Sequence, residues 1–267
     1  MSSPLSTPEP WQAVAPAYAA DVAPMFVHYA ARALELAALP PGAEVLDVAC
    51  GPGTLAFLAA EQGAQVQAID FAPAMIEQLK TRLRTAPAAI EAQVGDGMYL
   101  PYGSASFDAA FSMFGLMFFP ERARGFAELF RVLRPGGVAV ISSWQPMDRA
   151  PLLAAPFAAL APFLPPSPPR SMPLTQVVDH QMELGAAGFE AIEVVSVLHA
   201  FEAPSTEALW QGYQRNNAVI VAVREHMAPE VWAQASEAVQ AHLVATFGPG
   251  PQRVEMPAWI ACGRKPA

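Results

Sequence analysis

Three carboxylates stand at positions where an acidic side chain can hold a ligand. Asp47 lies inside the apolar run Glu44-Val45-Leu46-Asp47-Val48-Ala49, directly ahead of Cys50-Gly51-Pro52-Gly53. Asp70 ends a second apolar run, Gln65-Val66-Gln67-Ala68-Ile69-Asp70, and Asp96 follows a third, residues 90–95. Glycines at 51 and 53 let the backbone turn sharply and approach a ligand without a Cβ in the way. The helix that follows offers free amides and a positive dipole end, which favour a carboxylate or phosphate. Asp70, at a strand end, is placed to accept hydrogen bonds from ribose hydroxyls, and Asp96 to meet an exocyclic amine. Asp47 within an apolar strand needs a partner, because a buried unpaired carboxylate is costly. A glycine-rich loop alone is a weak signal; the loop with acidic residues at successive strand ends is a specific one.

A general base is harder to place. The histidines at 28, 180, 199, 226 and 242 are scattered, and His28 is the candidate because the N-terminal helix should border the site. Cys50 reads as a small packing residue, since no neighbour would activate it. Cys50 and Cys262 are the chain's two cysteines, enough for neither a disulfide framework nor a metal cluster. No metal site is expected. The cysteine usage suits a reducing cytoplasm.

The elements that must position these residues alternate. Residues 11–39 read as helical, punctuated by Pro16 and Pro24, with Met25, Phe26, Tyr29, Ala33, Leu36 and Ala37 on one stripe. Strands follow at 44–49, 65–70, 90–95, 107–113 and 138–144, separated by helices ending near Gln62, Arg84 and Leu133. Pro73 opens the second of those helices. Such alternation predicts an α/β, Rossmann-like, doubly wound and mostly parallel sheet, with its ligand at the carboxyl ends of the strands. Residues 189–201 and 253–264 read as two late strands joined by a long helical stretch, which places an antiparallel edge on the sheet.

Three regions result. Residues 1–10 form a flexible tail, 11–144 the N-terminal helices and cofactor-binding core, and 145–267 complete the sheet around two inserted segments, 146–183 and 204–249. The first insertion is Pro-rich, including Pro165-Pro166-Ser167-Pro168-Pro169. Both insertions interrupt the sheet pattern and are expected to form a helical cap that selects a substrate. Ser205 looks like an N-cap, and the run from Trp210 to Asn217 mixes aromatic and polar groups, which nominates Tyr213, Arg215 and Asn216 as substrate contacts.

Net charge of −9 and a hydrophobic content of 53% describe an acidic globular chain. The charge argues against a nucleic-acid partner, which wants a basic footprint. No apolar run approaches the roughly 20 residues of a membrane span. The start, MSSPLSTPEPW, has neither the basic beginning nor the apolar centre of a secretory signal.

Five blocks of the sequence resemble the class I S-adenosylmethionine-dependent methyltransferases, in the small-molecule branch similar to ubiquinone and menaquinone methyltransferases. They are VLDVACGPG (45–53), VQAIDFAPAMIEQL (66–79), VGDGMYLPYGSASFDAAFS (94–112), FGLMFFPE (114–121) and ELFRVLRPGGVAVISSW (128–144). The resemblance implies S-adenosyl-L-methionine as cofactor, S-adenosyl-L-homocysteine as product and a small-molecule methyl acceptor. It implies that Ala49, Gly51 and Gly53 pass under the methionine portion and that Asp47 orients its ammonium through the loop. Asp70 would hold the ribose, with Phe71 and Met75 near the adenine and Asp96 on the adenine amine. Gly97 and Met98 would supply backbone contacts, and Ser112 and Met113 would line the cofactor beside the sulfonium. Tyr18, with Trp11, resembles the aromatic residues of a helix that folds over the cofactor. Leu55 stands where many members have a third glycine. Two rivals stay open at this stage. Gly51-x-Gly53-x-x-Ala56 also passes the loose pattern of NAD(P)-dependent oxidoreductases, and a non-enzymatic cofactor-binding protein would carry the same loop.

Overall fold

The computed structural model describes residues 4–165 and 172–267; of the proline run expected at 165–169, all but Pro165 lies outside the described residues. Helix α1 (Glu9–Ala17) passes through a π-helical turn, Tyr18–Val22, and a 3-10 turn, Ala23–Phe26, into α2 (Val27–Ala37). Pro16 and Pro24 remove backbone donors from this path, and the helix changes its winding around them. A left-handed Ala38 then ends α2.

The alternating part follows as expected: β1 (Glu44–Val48), α3 (Thr54–Glu61), β2 (Gln65–Asp70), α4 (Pro73–Thr85), β3 (Ile90–Val94), β4 (Phe107–Met113), α5 (Arg122–Val132) and β5 (Leu133–Trp144). Val45, Leu46, Asp47 and Val48 are all buried, the mark of a central parallel strand covered on both faces. After α6 (Pro151–Leu160) and α7 (Val177–Ala186) come β6 (Glu190–Ala203), α8 (Thr206–Asn216), α9 (Ala218–Glu225), α10 (Pro229–Phe247) and β7 (Gln252–Arg264). The sheet has seven strands in the order β3-β2-β1-β4-β5-β7-β6. Strands β1 to β5 pair in parallel, and β7 runs antiparallel to both β5 and β6. The change of direction sits at the β6–β7 edge.

Two expectations about the periphery change. Residues 4–10 were expected as a loose tail, but Leu5 is buried and the Ser6 hydroxyl donates to the Phe118 carbonyl at 2.7 Å. The Trp11 indole donates to the Leu5 carbonyl at 3.0 Å and fixes the turn beneath it. The tail was read from polarity and proline content, and a single leucine at the right place overrides both. The insertion 146–183 was expected as part of one cap, and it divides instead. Helix α6 packs with α10, whose Trp232 lies 5.9 Å from Trp210 of α8. Helix α7 docks elsewhere, through an Arg122–Glu183 ion pair to α5 and a buried His180–Ser143 hydrogen bond of 2.9 Å to β5. Alternation along β5 puts Ser143 on the opposite face from Ser142 and Trp144. Helix α7 therefore covers the sheet face away from α2.

Gly115, just past β4, marks how closely the strand ends pack. A Cβ there would fall 2.5 Å from the Ala49 Cβ and 2.9 Å from the Ser112 hydroxyl. Gly115→Ala should therefore destabilise the protein by about 1–3 kcal/mol through overpacking. Gly250→Ala, whose added Cβ meets nothing within 4 Å, should stay within about 0.5 kcal/mol of wild type. Thermal unfolding of the pair checks this, and equal melting temperatures would remove the close approach as a constraint.

Candidate functional site

The loop between β1 and α3 is a run of left-handed backbone. Ala49, Gly51 and Gly53 have φ of +58°, +54° and +84°. Gly53 also lies where a Cβ would meet Leu79 at 2.8 Å, so glycine is required there twice over. Asp70 holds this loop. One carboxylate oxygen accepts from the Gly51 amide at 2.9 Å and the other from the Ala72 amide at 2.8 Å. Burial pushes its carboxyl up to about 6, against those two backbone hydrogen bonds.

Asp47 is the more unusual group. It is buried, and its Oδ2 has no hydrogen-bond partner. Burial pushes the carboxyl up to about 8, with the Asp70 charge adding to the shift and the Ala56 amide opposing it. Asp47 lines a cavity of about 50 Å³ together with Tyr18, Phe26, Ala49, Gly51, Met113 and Phe114. A carboxyl oxygen left without a partner at a cavity wall fits a ligand cation, whose arrival favours the ionised form. Tyr18 is half-buried, and burial and the Asp70 charge hold its phenol well above the ordinary range. It is a neutral hydroxyl at any working pH.

Several expected site residues meet here: Tyr18, Asp47, Ala49, Gly51 and Met113 line the cavity, and Gly53 and Asp70 shape its loop. Phe71 and Met75 lie on the neighbouring side, in one apolar cluster with Trp11, Val14, Ala15 and Tyr18. Gly97 is buried where a Cβ would strike Val48 and Phe119 at 2.7 and 2.6 Å. Asp96 is exposed and accepts from the Met98 amide at 2.8 Å, so its turn-forming role is visible.

Other expectations are corrected. Ser112 is fully buried and unpartnered, but it does not line the cavity. Strand alternation gives that place to Met113 and turns Ser112 to the α7 side. His28 is exposed and stacked on His199 with ring centroids 5.0 Å apart, because α2 turns Tyr29, Ala30 and Ala33 inward instead. It is withdrawn as a base. Tyr213, Arg215 and Asn216 do not line the cavity either. Tyr213 packs into the apolar clusters around α8, and Arg215 and Asn216 reach Asp21 of the π-helical turn at 3.5 and 3.4 Å.

An aromatic wall beside the cavity went unnoticed in the sequence. Phe114, just past β4, has φ of +57°, and its amide donates to the buried Ser142 hydroxyl at 2.9 Å. Its ring lies 4.8 Å from Phe26 and 4.3 Å from Trp144, tilted by 32° and 30°. Phe114 and Trp144 fall inside resemblance blocks and Phe26 on the helical stripe, but strand alternation does not reveal that a left-handed residue brings the three rings together.

Comparison with known proteins agrees with this geometry. Residues 45–137 match the family model described as a methyltransferase domain. The match covers about a third of the chain, and those residues are similar to that family. The chain is 39% identical over 104 residues to a demethylmenaquinone methyltransferase of Deinococcus radiodurans, covering 38% of this chain and 43% of that one. It is 36% identical over 126 residues to a 2-methyl-6-phytyl-1,4-hydroquinone methyltransferase of Synechocystis, covering 46% of this chain and 39% of that protein. The chain therefore spans about two fifths of the length of these relatives. The fold extends further than the sequence likeness. The YcgJ protein from Bacillus subtilis superposes with a TM-score of 0.61 at 18% identity, over 90% of this chain and 99% of that one. Phosphoethanolamine N-methyltransferase 2 of Haemonchus contortus, solved with S-adenosyl-L-methionine, gives 0.55 at 18% identity, over 90% of this chain and 52% of that one.

The raised Asp47 carboxyl has a measurable consequence for the ligand-free protein. An acid whose folded value lies above its unfolded one binds more protons when folded, so its stability contribution is full below about pH 4 and is lost as pH rises to about 8. Asp47→Asn removes that loss. The melting temperature of the variant relative to wild type should climb from pH 5 to pH 8 and then level off. A difference that does not change with pH would mean that the carboxylate is solvated.

Proposed function

We propose that the protein transfers the methyl group of S-adenosyl-L-methionine to a small, flat and largely apolar acceptor. The bare Asp47 oxygen carries this reading. Two buried carboxylates, Asp47 and Asp70, flank one glycine loop and call for a ligand with both a cation and hydroxyls. S-adenosylmethionine has an amino-acid ammonium for the first and a ribose for the second. A dinucleotide would set its anionic pyrophosphate on the loop beside Asp47, which the low dielectric there penalises. The methyltransferase domain at 45–137 supports the same choice.

The cofactor supplies an activated methyl group whose leaving group is a neutral thioether. The chain's part is to hold, align and exclude water. Asp47 neutralises the ammonium, Asp70 orients the ribose through loop and hydroxyls, and Met113 and Phe114 close the cavity wall. The acceptor side is the wall of Phe26, Phe114 and Trp144, which offers flat apolar contact and no charge. Relatives that act on demethylmenaquinone and on a phytyl hydroquinone suit an acceptor of this shape. Among the described residues lining the cavity no histidine occurs, so the acceptor's proton leaves to solvent or to the acceptor's own groups.

Calorimetric titration tests the cofactor. S-adenosylmethionine and S-adenosylhomocysteine should bind, NAD and NADP should not, and Asp70→Ala should weaken binding by about 1.5–3 kcal/mol. S-adenosylhomocysteine affinity should rise from pH 6 to pH 8, because the ammonium binds the ionised Asp47 and protonation of that carboxyl competes below its value of about 8. Asp47→Asn should bind weakly with no such rise. A dinucleotide binding more tightly than either sulfur cofactor would overturn the reading. Turnover, followed as S-adenosylhomocysteine release across hydroquinones, phenols, amines and thiols, should survive EDTA; loss of activity restored by magnesium would reveal a metal requirement.

A further inference from the structure

The strap formed by residues 4–26 lies between two layers. Beneath it are the carboxyl ends of β1, β2 and β4; above it are α8 and α9. The lower attachment is mixed: Ser6 bonds the Phe118 carbonyl, the Trp11 ring packs 5.4 Å from Phe118, and the Thr54 hydroxyl reaches the Ala23 carbonyl at 3.4 Å. The upper attachment is apolar. Val14 and Ala15 of α1 share one buried cluster with Ala218 and Val221 of α9 and with Ala72 and Met75 of the loop and helix after β2. All six are essentially closed to solvent. Asn217 places α9 for this contact, its side chain accepting from the Val219 and Ile220 amides at 3.1 Å each.

The strap covers the site, with Tyr18 and Phe26 lining the cavity together with Asp47 and Gly51. Entry and exit therefore require the strap to move out from between the two layers, and that movement must break the apolar contact with α9. We infer that α9 latches the strap over the site, so that Ala218 and Val221 set how fast the cofactor enters and leaves. This rests on the cofactor reading above but assigns a role to residues outside 45–137 that do not line the cavity. They are positioning residues. The ion pair of Asp21 with Arg215 is a minor part of the latch, being long at 3.5 Å and largely solvated.

A latch has a kinetic signature that damage to a binding site lacks. It favours the closed state equally in the empty and loaded protein. Weakening it multiplies the open population of both by the same factor, so association and dissociation accelerate together and Kd stays put. Val221→Ala deletes two buried methyl groups from the contact and should raise both rate constants about tenfold. Stopped-flow mixing with S-adenosylhomocysteine, read by intrinsic tryptophan fluorescence, measures both. Val239→Ala is the control, since Val239 is equally buried but in the α6–α8–α10 cluster. It should lower the melting temperature comparably and leave both rates at wild-type values. Asp21→Ala should change them by less than about threefold. The latch is overturned if Val221→Ala exchanges at the wild-type rate, if dissociation alone accelerates with Kd rising in step, if Val239→Ala has the same effect, or if Asp21→Ala exceeds Val221→Ala. Failure of wild type to bind S-adenosylhomocysteine would instead bring down the cofactor reading and the latch with it.

Discussion

The carboxylate of Asp70 is tied to two backbone amides on either side of it in space, Gly51 at 2.9 Å and Ala72 at 2.8 Å. Those bonds fasten the glycine loop after β1 to the turn after β2, and the remaining geometry of the site depends on that fastening. With the loop fixed, Gly51 and Gly53 keep their left-handed backbone, α3 starts at Thr54, and the end of β1 is held under the strap. The same fastening brings a second buried carboxylate, Asp47, into the same dry region, where the Asp70 charge raises the cost of ionising it. A protein that must only fold would gain by replacing Asp47 with an apolar residue of similar size. Keeping an unpartnered acid there makes sense when a cation arrives to meet it.

That local cost is offset by the way the surrounding elements are packed. The strand ends are filled by residues with no tolerance for added volume: Gly97 against Val48, Gly115 against Ala49, Gly53 against Leu79. Beside the cavity, Phe114 accepts a left-handed backbone because its amide finds Ser142 and its ring is held between Phe26 and Trp144. Ser142 and Ser143 are neighbours on β5 that face opposite ways. The first fixes the wall of the cavity, and the second joins His180 of α7 across the other face of the sheet. One strand thus ties the aromatic wall to the far helical layer.

How much of this was legible follows from the kind of signal each part emits. The parallel strands and the loop were readable because burial on both faces demands apolar runs, and a left-handed turn beside a ligand demands glycine. Asp47 and Asp70 were readable for the converse reason, as acids where composition alone would put none. Ser112 and Met113 were both named, but which faces the cavity depends on the register of β4 against β1, where Ala110 pairs with Leu46 and Phe111 with Asp47. His28 was misplaced by one position on α2, and a shift of one residue turns a helix by about 100° and exchanges an inward side chain for an outward one. Residues 4–10 and the split of 146–183 between α6 and α7 depend on contacts distant in sequence. No local pattern encodes them.

The insertion between β6 and β7 shows what the sheet topology permits. Strand β7 lies between β5 and β6, antiparallel to both, and begins beside the carboxyl end of β6, where Ala203 pairs with Gln252. That end is on the side of the sheet where the cavity lies, so a long connection there falls beside the site. Helices α8 to α10 fill this connection. They bury Trp210, Ile220, Val239 and Leu243 among themselves and α6, which gives them a core of their own. A unit with its own core can move against the sheet as a body or hold another element still. Leu209 of α8 packs against Ala203 of β6 and Val254 of β7, while Ala218 and Val221 on α9 meet the strap and the start of α4. The geometry thus joins the part of the chain that covers the cavity to a helical unit that lies beyond residues 45–137.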